Sequence, residues 1–165
     1  MNSIDESAIS AMQKKGLALD ANLAVVLIVG LADRRLVGTH RRTTGYSTID
    51  FDLIMRLCRM ASKLHTTPHV LSEVSNLLDV GKSSKPVKEL FGFMEICGTS
   101  VEIWNEAREL CTMPEFVRLG LADAGLCKIA QSGCAVATAD WQLANRLQKH
   151  DLPAVNFHHL RSHLG

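Results

Sequence analysis

The fold is decided by residues 17–33, which read LALDANLAVVLIVGLAD. The short apolar run at residues 17–21 predicts a buried strand that ends at Asp20. Residues 23–32 are rich in valine and isoleucine, which favour strands, yet a second strand does not readily follow the first without a turn. Because Asn22 is a good N-cap residue, we predict a helix over residues 23–32.

The alternation of strands and helices continues along the rest of the chain. Pro68 suits the first turn of a helix, and Gly81 and Gly98 are placed to end helices. We predict further strands at residues 64–67, 100–103, 135–138 and 154–157, helices at residues 50–63, 68–80, 85–97 and 141–150, and one or two helices within 105–131, interrupted near residues 113–114. Strands that alternate with helices indicate an α/β fold whose parallel sheet is covered on both faces.

Length and composition are those of one globular domain. The 165 residues fit a single domain, and 47% hydrophobic with 21% charged residues excludes a disordered chain. The net charge is only +1, so any attraction for a nucleic acid must come from a local patch. The five cysteines form no C-x-x-C pair, which favours reduced thiols over zinc. Because the chain also lacks a signal-peptide pattern and a membrane-length apolar run, we expect a cytoplasmic protein without membrane association.

Two acids fall at predicted strand ends. Asp20 closes the first predicted strand and Asp140 follows the fourth. In open α/β sheets, ligands bind beyond the carboxyl ends of the strands, so both acids are candidate ligands. Asp140 has an alternative role as the N-cap of the helix that follows it. For Asp20 we consider the capping role weaker, because Asn22 is better placed for it.

Asp123 lies within an apolar stripe. Leu119, Asp123, Leu126 and Ala130 have the spacing of one helix face, which a solvated acid does not normally occupy. An unpaired buried carboxylate costs several kcal/mol, so a partner is expected. The neighbouring Arg118 points to another face, and a metal ion is the better partner, although a purely structural role remains open.

Glu73 has a similar position in its predicted helix. It lies between Val70 and Leu77, on the inner flank of the buried face. The alternative is a glutamate at the rim of the core, with its stem packed and its carboxylate in water.

Four carboxylates at one sheet edge require a cation, because like charges a few ångströms apart otherwise force protonation. Oxygen ligands suit Mg²⁺ or Mn²⁺, which often bridge to substrate phosphates. Such ions activate a water and stabilise a leaving oxygen in phosphodiester hydrolysis. The four acids therefore indicate a metal-dependent nuclease.

With these residues in order, the chain resembles the PIN-domain nuclease family, in particular the toxin-type PIN ribonucleases. The matching segments are residues 17–22 (LALDAN), 69–74 (HVLSEV), 121–123 (LAD) and 136–140 (VATAD), which span nearly the whole chain. The resemblance implies a three-layer sandwich with a five-stranded, mostly parallel sheet and Mg²⁺- or Mn²⁺-dependent ribonuclease activity. The metal ligands it implies are Asp20, Glu73, Asp123 and Asp140.

The resemblance also implies supporting residues and partners. Asn22 and Thr138 are expected to support the site by hydrogen bonding, and Asn156 falls where some members place another acid. Many compact members are bacterial toxins that a partner protein silences, so an RNA substrate, a cognate antitoxin and a homodimer are expected.

A basic segment at residues 33–48 distinguishes this chain from the shortest toxins. Between residues 33 and 63, seven basic residues face three acids, a local excess of +4. We predict that four arginines of the segment grip RNA phosphates, namely Arg34, Arg35, Arg41 and Arg42. The alternative is a solvated cluster that only decorates the surface.

Two other functions fit an α/β chain with acids at strand ends. One is a receiver-like signalling module, which requires a lysine at the end of the last strand, and residues 154–160 contain none. The other is an RNA-binding scaffold that keeps the fold without catalysis. Binding of RNA that is indifferent to EDTA and yields no cleavage products would favour the scaffold.

Overall fold

A computed structural model describes residues 6–79 and 89–162 of the chain. The strands are β1 Leu17–Leu19, β2 Leu64–Thr66, β3 Val101–Glu102, β4 Ala135–Thr138 and β5 Ala154–Asn156. They form one sheet in the order β3-β2-β1-β4-β5, and every neighbouring pair is parallel. Helices flank this sheet in a three-layer sandwich, so the predicted α/β fold class is confirmed.

Helices supply the remaining regular structure. They are α1 Glu6–Lys14, α2 Ala21–Ala32, α3 Thr48–Met60, α4 Pro68–Leu77, α5 Glu89–Thr99, α6 Ala107–Leu110, α7 Phe116–Leu119, α8 Leu121–Gln131, α9 Trp141–Lys149 and α10 Phe157–Ser162, together with a short 3₁₀ helix at Arg34–Leu36. In the ranges that the structure describes, no helix is both long and apolar enough to cross a membrane.

The apolar helix α2 is buried in the core of the chain. It contacts α3, α4 and α5, and nine of its residues are buried. Two glycines permit this close packing. A Cβ at Gly30 would come within 2.1 Å of the Phe51 ring, and one at Gly92 would come within 2.5 Å of the Ile28 carbonyl oxygen. The internal position of α2 explains its apolar sequence without a partner subunit.

The predicted N-cap of α2 was wrong. The cap is Asp20, whose carboxylate accepts a hydrogen bond from the Leu23 amide at 2.7 Å. Asn22 lies in the first turn and is exposed. The strand passes into the helix without an intervening turn because Asp20 keeps an extended backbone (φ −67°, ψ 167°) while its side chain already caps the helix.

Several predicted boundaries also differ from the structure. The helix predicted from residue 50 begins at Thr48, because Ser47 and Asp50 form a capping box. α5 runs through the predicted stop at Gly98. Residues 105–131 hold three helices, interrupted near residues 113–114 as predicted and again at Gly120 (φ 84°). Helix α10 was not predicted, and the predicted helix end at Gly81 and helix start at residue 85 lie outside the described residues.

Candidate active site

The site lies where the direction of the chain through the sheet reverses. β1 and β4 are neighbours, while the chain leaves β1 towards β2 and leaves β4 towards β5. Such a switch point opens a crevice beyond the carboxyl ends of the two strands, where ligands of α/β proteins bind. Asp20 follows β1 and Asp140 follows the end of β4, so the fold brings both predicted acids to this crevice.

Asp20 is the most enclosed of the four acids, with 3% of its surface exposed. Besides the Leu23 amide, its carboxylate accepts hydrogen bonds from the Thr138 hydroxyl at 2.5 Å and the Ala139 amide at 2.8 Å. Burial raises the pKa of Asp20, and these hydrogen bonds offset only part of that increase. Thr138 makes the kind of hydrogen bond that the resemblance implies for it, and it fastens the end of β4 to the end of β1.

Asp140 has a capping role and a free oxygen. Its Oδ1 accepts hydrogen bonds from the amides of Gln142 at 2.6 Å and Leu143 at 3.1 Å, which makes it the N-cap of α9. No described residue donates to its other oxygen, Oδ2. The two roles considered for Asp140 are therefore compatible, since one oxygen caps the helix and the other is available to a ligand.

Asp123 faces the other acids from the first turn of α8. Burial first, and then the negative charges of Asp20, Asp140 and Glu73, raise its pKa to about 7. The predicted stripe is partly wrong, because Gly120 ends α7 and separates Leu119 from α8. The stripe retains Asp123, Leu126 and Ala130, so the acid still points inward.

Glu73 lies at the rim of the site. The residue is exposed as a whole, on the face of α4 next to the buried Val74. Its pKa is nevertheless raised, first because partial burial desolvates the carboxyl group and second because of the negative charge of Asp20. The rim position that we considered as the alternative is thus observed, and the carboxylate remains within the electrostatic reach of Asp20.

No positive side chain among the described residues neutralises the four acids. None of them forms an ion pair with a described residue, and the charges that influence the pKa of Asp123 are all negative. Within the described ranges, no three histidine, cysteine, aspartate or glutamate side chains already converge on one point as metal ligands. Carboxylate oxygens nevertheless suit Mg²⁺ or Mn²⁺, and coordination of one ion by three of these acids would require the carboxylates to move closer together.

The two asparagines differ from Thr138. The exposed Asn22 makes no hydrogen bond to the four acids, so the structure does not show the contact that the resemblance implies. Asn156 lies opposite Thr138 in the sheet, at the edge where the acids gather. Its side-chain oxygen accepts from the amides of His158 at 3.1 Å and His159 at 3.5 Å, and thus caps the start of α10.

Tyr46 is a neighbour of the site that the sequence analysis missed. Burial and the nearby charge of Asp20 raise its pKa to about 12. Its ring packs against Phe157, with 6.3 Å between the ring centroids. The available signal was the single tyrosine of the chain, near the end of a mostly polar segment.

The four arginines of the basic segment all contact groups within the fold. Arg34 binds Asp52 through two hydrogen bonds of 3.0 and 2.6 Å, and Arg35 binds Asp33. Arg41 pairs with Asp79, and Arg42 donates to the Leu77 carbonyl at 3.1 Å. These contacts account for much of the local positive charge, and the contact with RNA stays a prediction.

Comparisons of the chain with family models, with curated proteins and with solved structures give no match.

Proposed function

We propose that this protein is a ribonuclease that uses Mg²⁺ or Mn²⁺ held by Asp20, Glu73, Asp123 and Asp140. The observation that carries the proposal is the gathering of these four carboxylates at the switch point of a parallel sheet, with no countercharge from the described residues. A protein that maintains such repulsion gains most from a divalent cation at that place.

The surroundings of the acids suit a phosphodiester substrate. Helices α2, α8 and α9 begin at the same edge, and their amino-terminal ends favour anionic groups such as phosphates. A bound Mg²⁺ or Mn²⁺ supplies the chemistry that lowers the pKa of an attacking water and stabilises a leaving oxygen. Asp20 is held in place by Thr138 and Ala139, while the free Oδ2 of Asp140 is available to the metal.

The resemblance to toxin-type PIN ribonucleases extends this proposal. On that basis we propose that the protein is a cytoplasmic toxin of a toxin–antitoxin pair, that it acts as a homodimer and that an antitoxin protein silences it. The receiver-like alternative is less favoured, because receiver domains have the strand order 2-1-3-4-5 and the described strands do not.

Cleavage of single-stranded RNA by the purified protein tests the proposal. We expect cleavage with Mn²⁺ or Mg²⁺ and none with EDTA. Asp123→Asn is the most informative variant, because no described residue hydrogen-bonds to the Asp123 carboxylate and the fold should tolerate the amide. We expect its activity to fall by more than about a hundredfold, since losing only an outer-shell partner of a metal ligand costs roughly 10–100-fold.

Asp151→Asn is the matched control. Asp151 is an exposed acid beyond the carboxyl end of α9, away from the sheet edge where α9 begins, and its positive φ of 53° suits asparagine. We expect wild-type cleavage from this variant. Equal cleavage by Asp123→Asn and Asp151→Asn, or cleavage that survives EDTA, would contradict the proposed mechanism.

A further inference from the structure

The chain has two tryptophans, and both are exposed at the carboxyl edge of the sheet. Trp104 has 74% of its surface exposed and Trp141 has 63%. Trp104 is the second residue after β3, and Trp141 is the third residue after β4. Large aromatic side chains normally contribute their area to a core or an interface, so two exposed ones at one edge indicate a binding surface.

The two tryptophans flank the proposed site. β3 and β4 are separated in the sheet by β2 and β1. At about 4.8 Å between neighbouring strands, the ends of β3 and β4 are roughly 14 Å apart. Asp20, at the end of β1, lies between them, and Asp140 immediately precedes Trp141. The shortest path between the ends of β3 and β4 therefore crosses the part of the edge that holds Asp20.

A basic groove leads away from Trp141. The groove has a volume of about 600 Å³, and its lining includes Trp141, Arg118, Arg146, Lys149 and Glu115. Arg146 pairs with Glu115 at 2.7 Å. Arg118 and Lys149 are exposed and make no ion pair with a described residue, so the groove keeps two free positive charges. Because α9 has nine residues, the groove follows it for about 13 Å from the acids.

We propose that Trp104 and Trp141 stack on unpaired bases and hold a single-stranded RNA across the acids. Arg118 and Lys149 then contact phosphates of the same strand. A single strand fits this arrangement because its bases expose their faces, whereas a duplex keeps its bases stacked on each other. The free charges of the groove suit phosphates better than the apolar surface of a protein partner. The inference rests on the proposed ribonuclease function and specifies which side chains outside the four acids bind the substrate strand.

Tryptophan fluorescence can follow each ring separately. In Trp104→Phe the only tryptophan is Trp141, and in Trp141→Phe it is Trp104. The measurement uses the full chain in EDTA, so that cleavage does not interfere, with a uridine oligonucleotide and with a duplex of matched length. We expect the single strand to quench both tryptophans and the duplex to quench neither.

Binding of the same oligonucleotide by the alanine variants gives the size of the effect. We expect Trp104→Ala and Trp141→Ala each to bind about 5- to 150-fold more weakly, and the phenylalanine variants to recover most of the affinity.

The positive charges of the groove have a separate test. Replacing both Arg118 and Lys149 by alanine should reduce the slope of log affinity against log salt concentration by the equivalent of about two phosphate contacts. Met60→Ala is the control for these variants. Met60 is an exposed apolar residue at the carboxyl end of α3, shortly before β2 begins, and thus away from the carboxyl edge of the sheet. The affinity of this variant for RNA should be unchanged.

Two outcomes would overturn the inference. One is unquenched fluorescence in both single-tryptophan variants. The other is wild-type affinity in both alanine variants, which would exclude the two rings from RNA binding. If RNA is cleaved but the tryptophans take no part in binding it, the proposed ribonuclease function holds and the proposed stacking is wrong. If RNA is bound through the tryptophans but is never cleaved with Mn²⁺, the stacking holds and the ribonuclease function is wrong.

Discussion

At the scale of single residues, the raised pKa of Asp123 shows that the proposed site lowers the stability of the fold at neutral pH. Its pKa is raised from 3.8 to about 7, so the folded state holds this proton more tightly than the unfolded chain does. The stability that the Asp123 carboxyl contributes is therefore fully present below about pH 4, and this contribution is lost as the pH rises to about 7. The groups responsible, besides burial, are Asp20, Asp140 and Glu73.

Asp123→Asn should remove this pH dependence. Without metal, we expect the variant to gain stability over the wild type as the pH rises from 5 to 8, by up to about 3 kcal/mol. Urea unfolding in EDTA at several pH values measures the difference. If the free energy of unfolding changed with pH in the same way for both proteins, Asp123 would not lie close to the other acids.

Thr138 offers a second test at this scale. Its hydroxyl donates to Asp20 and accepts from the Asp140 amide at 2.9 Å, and the residue is fully buried. We expect Thr138→Val to lower the free energy of unfolding by about 1–3 kcal/mol, because two buried polar groups lose a partner. Thr138→Ser keeps the hydroxyl and should retain most of the stability. A larger loss in Thr138→Ser than in Thr138→Val would contradict this expectation and assign the stability to packing of the methyl group.

At the scale of elements, the sequence was most informative where a short apolar run is bounded by polar residues. The strand predicted at residues 135–138 coincides with β4. The N-cap residue of α2 could not be predicted from the sequence, because Asp20 and Asn22 are both good N-cap residues. The choice between them depends on where the strand ends in three dimensions. Gly120 was missed because the spacing of apolar residues continues across the break between α7 and α8.

The start of α9 separates the structural role of Asp140 from its proposed metal role. Asp140→Asn keeps an oxygen that can accept from the Gln142 and Leu143 amides, whereas Asp140→Ala removes the cap. We expect the alanine variant to lose about 0.5–2 kcal/mol of stability and the asparagine variant much less. Both should lose RNA cleavage. An active Asp140→Asn protein would limit this residue to capping.

At the scale of the whole molecule, the strand order decides which residues meet. The sequence indicated that Asp20 and Asp140 follow strands, but only the order β3-β2-β1-β4-β5 places those strands side by side. Tyr46 beside Asp20 and the two tryptophans around the acids depend on the same long-range arrangement. Local periodicity carries no information on strand order, which is why these neighbours could not be predicted.

The central claim is that the four acids together hold a divalent cation, and titration calorimetry with Mn²⁺ near pH 7 tests it most directly. Asp123 is about half protonated at that pH, so metal binding should release a fraction of a proton, visible as a heat that depends on the buffer. We expect saturable binding with proton release for the wild type, and binding at least about tenfold weaker, with less proton release, for Asp123→Asn. An absence of Mn²⁺ binding by the wild type, or identical titrations of the two proteins, would contradict the claim.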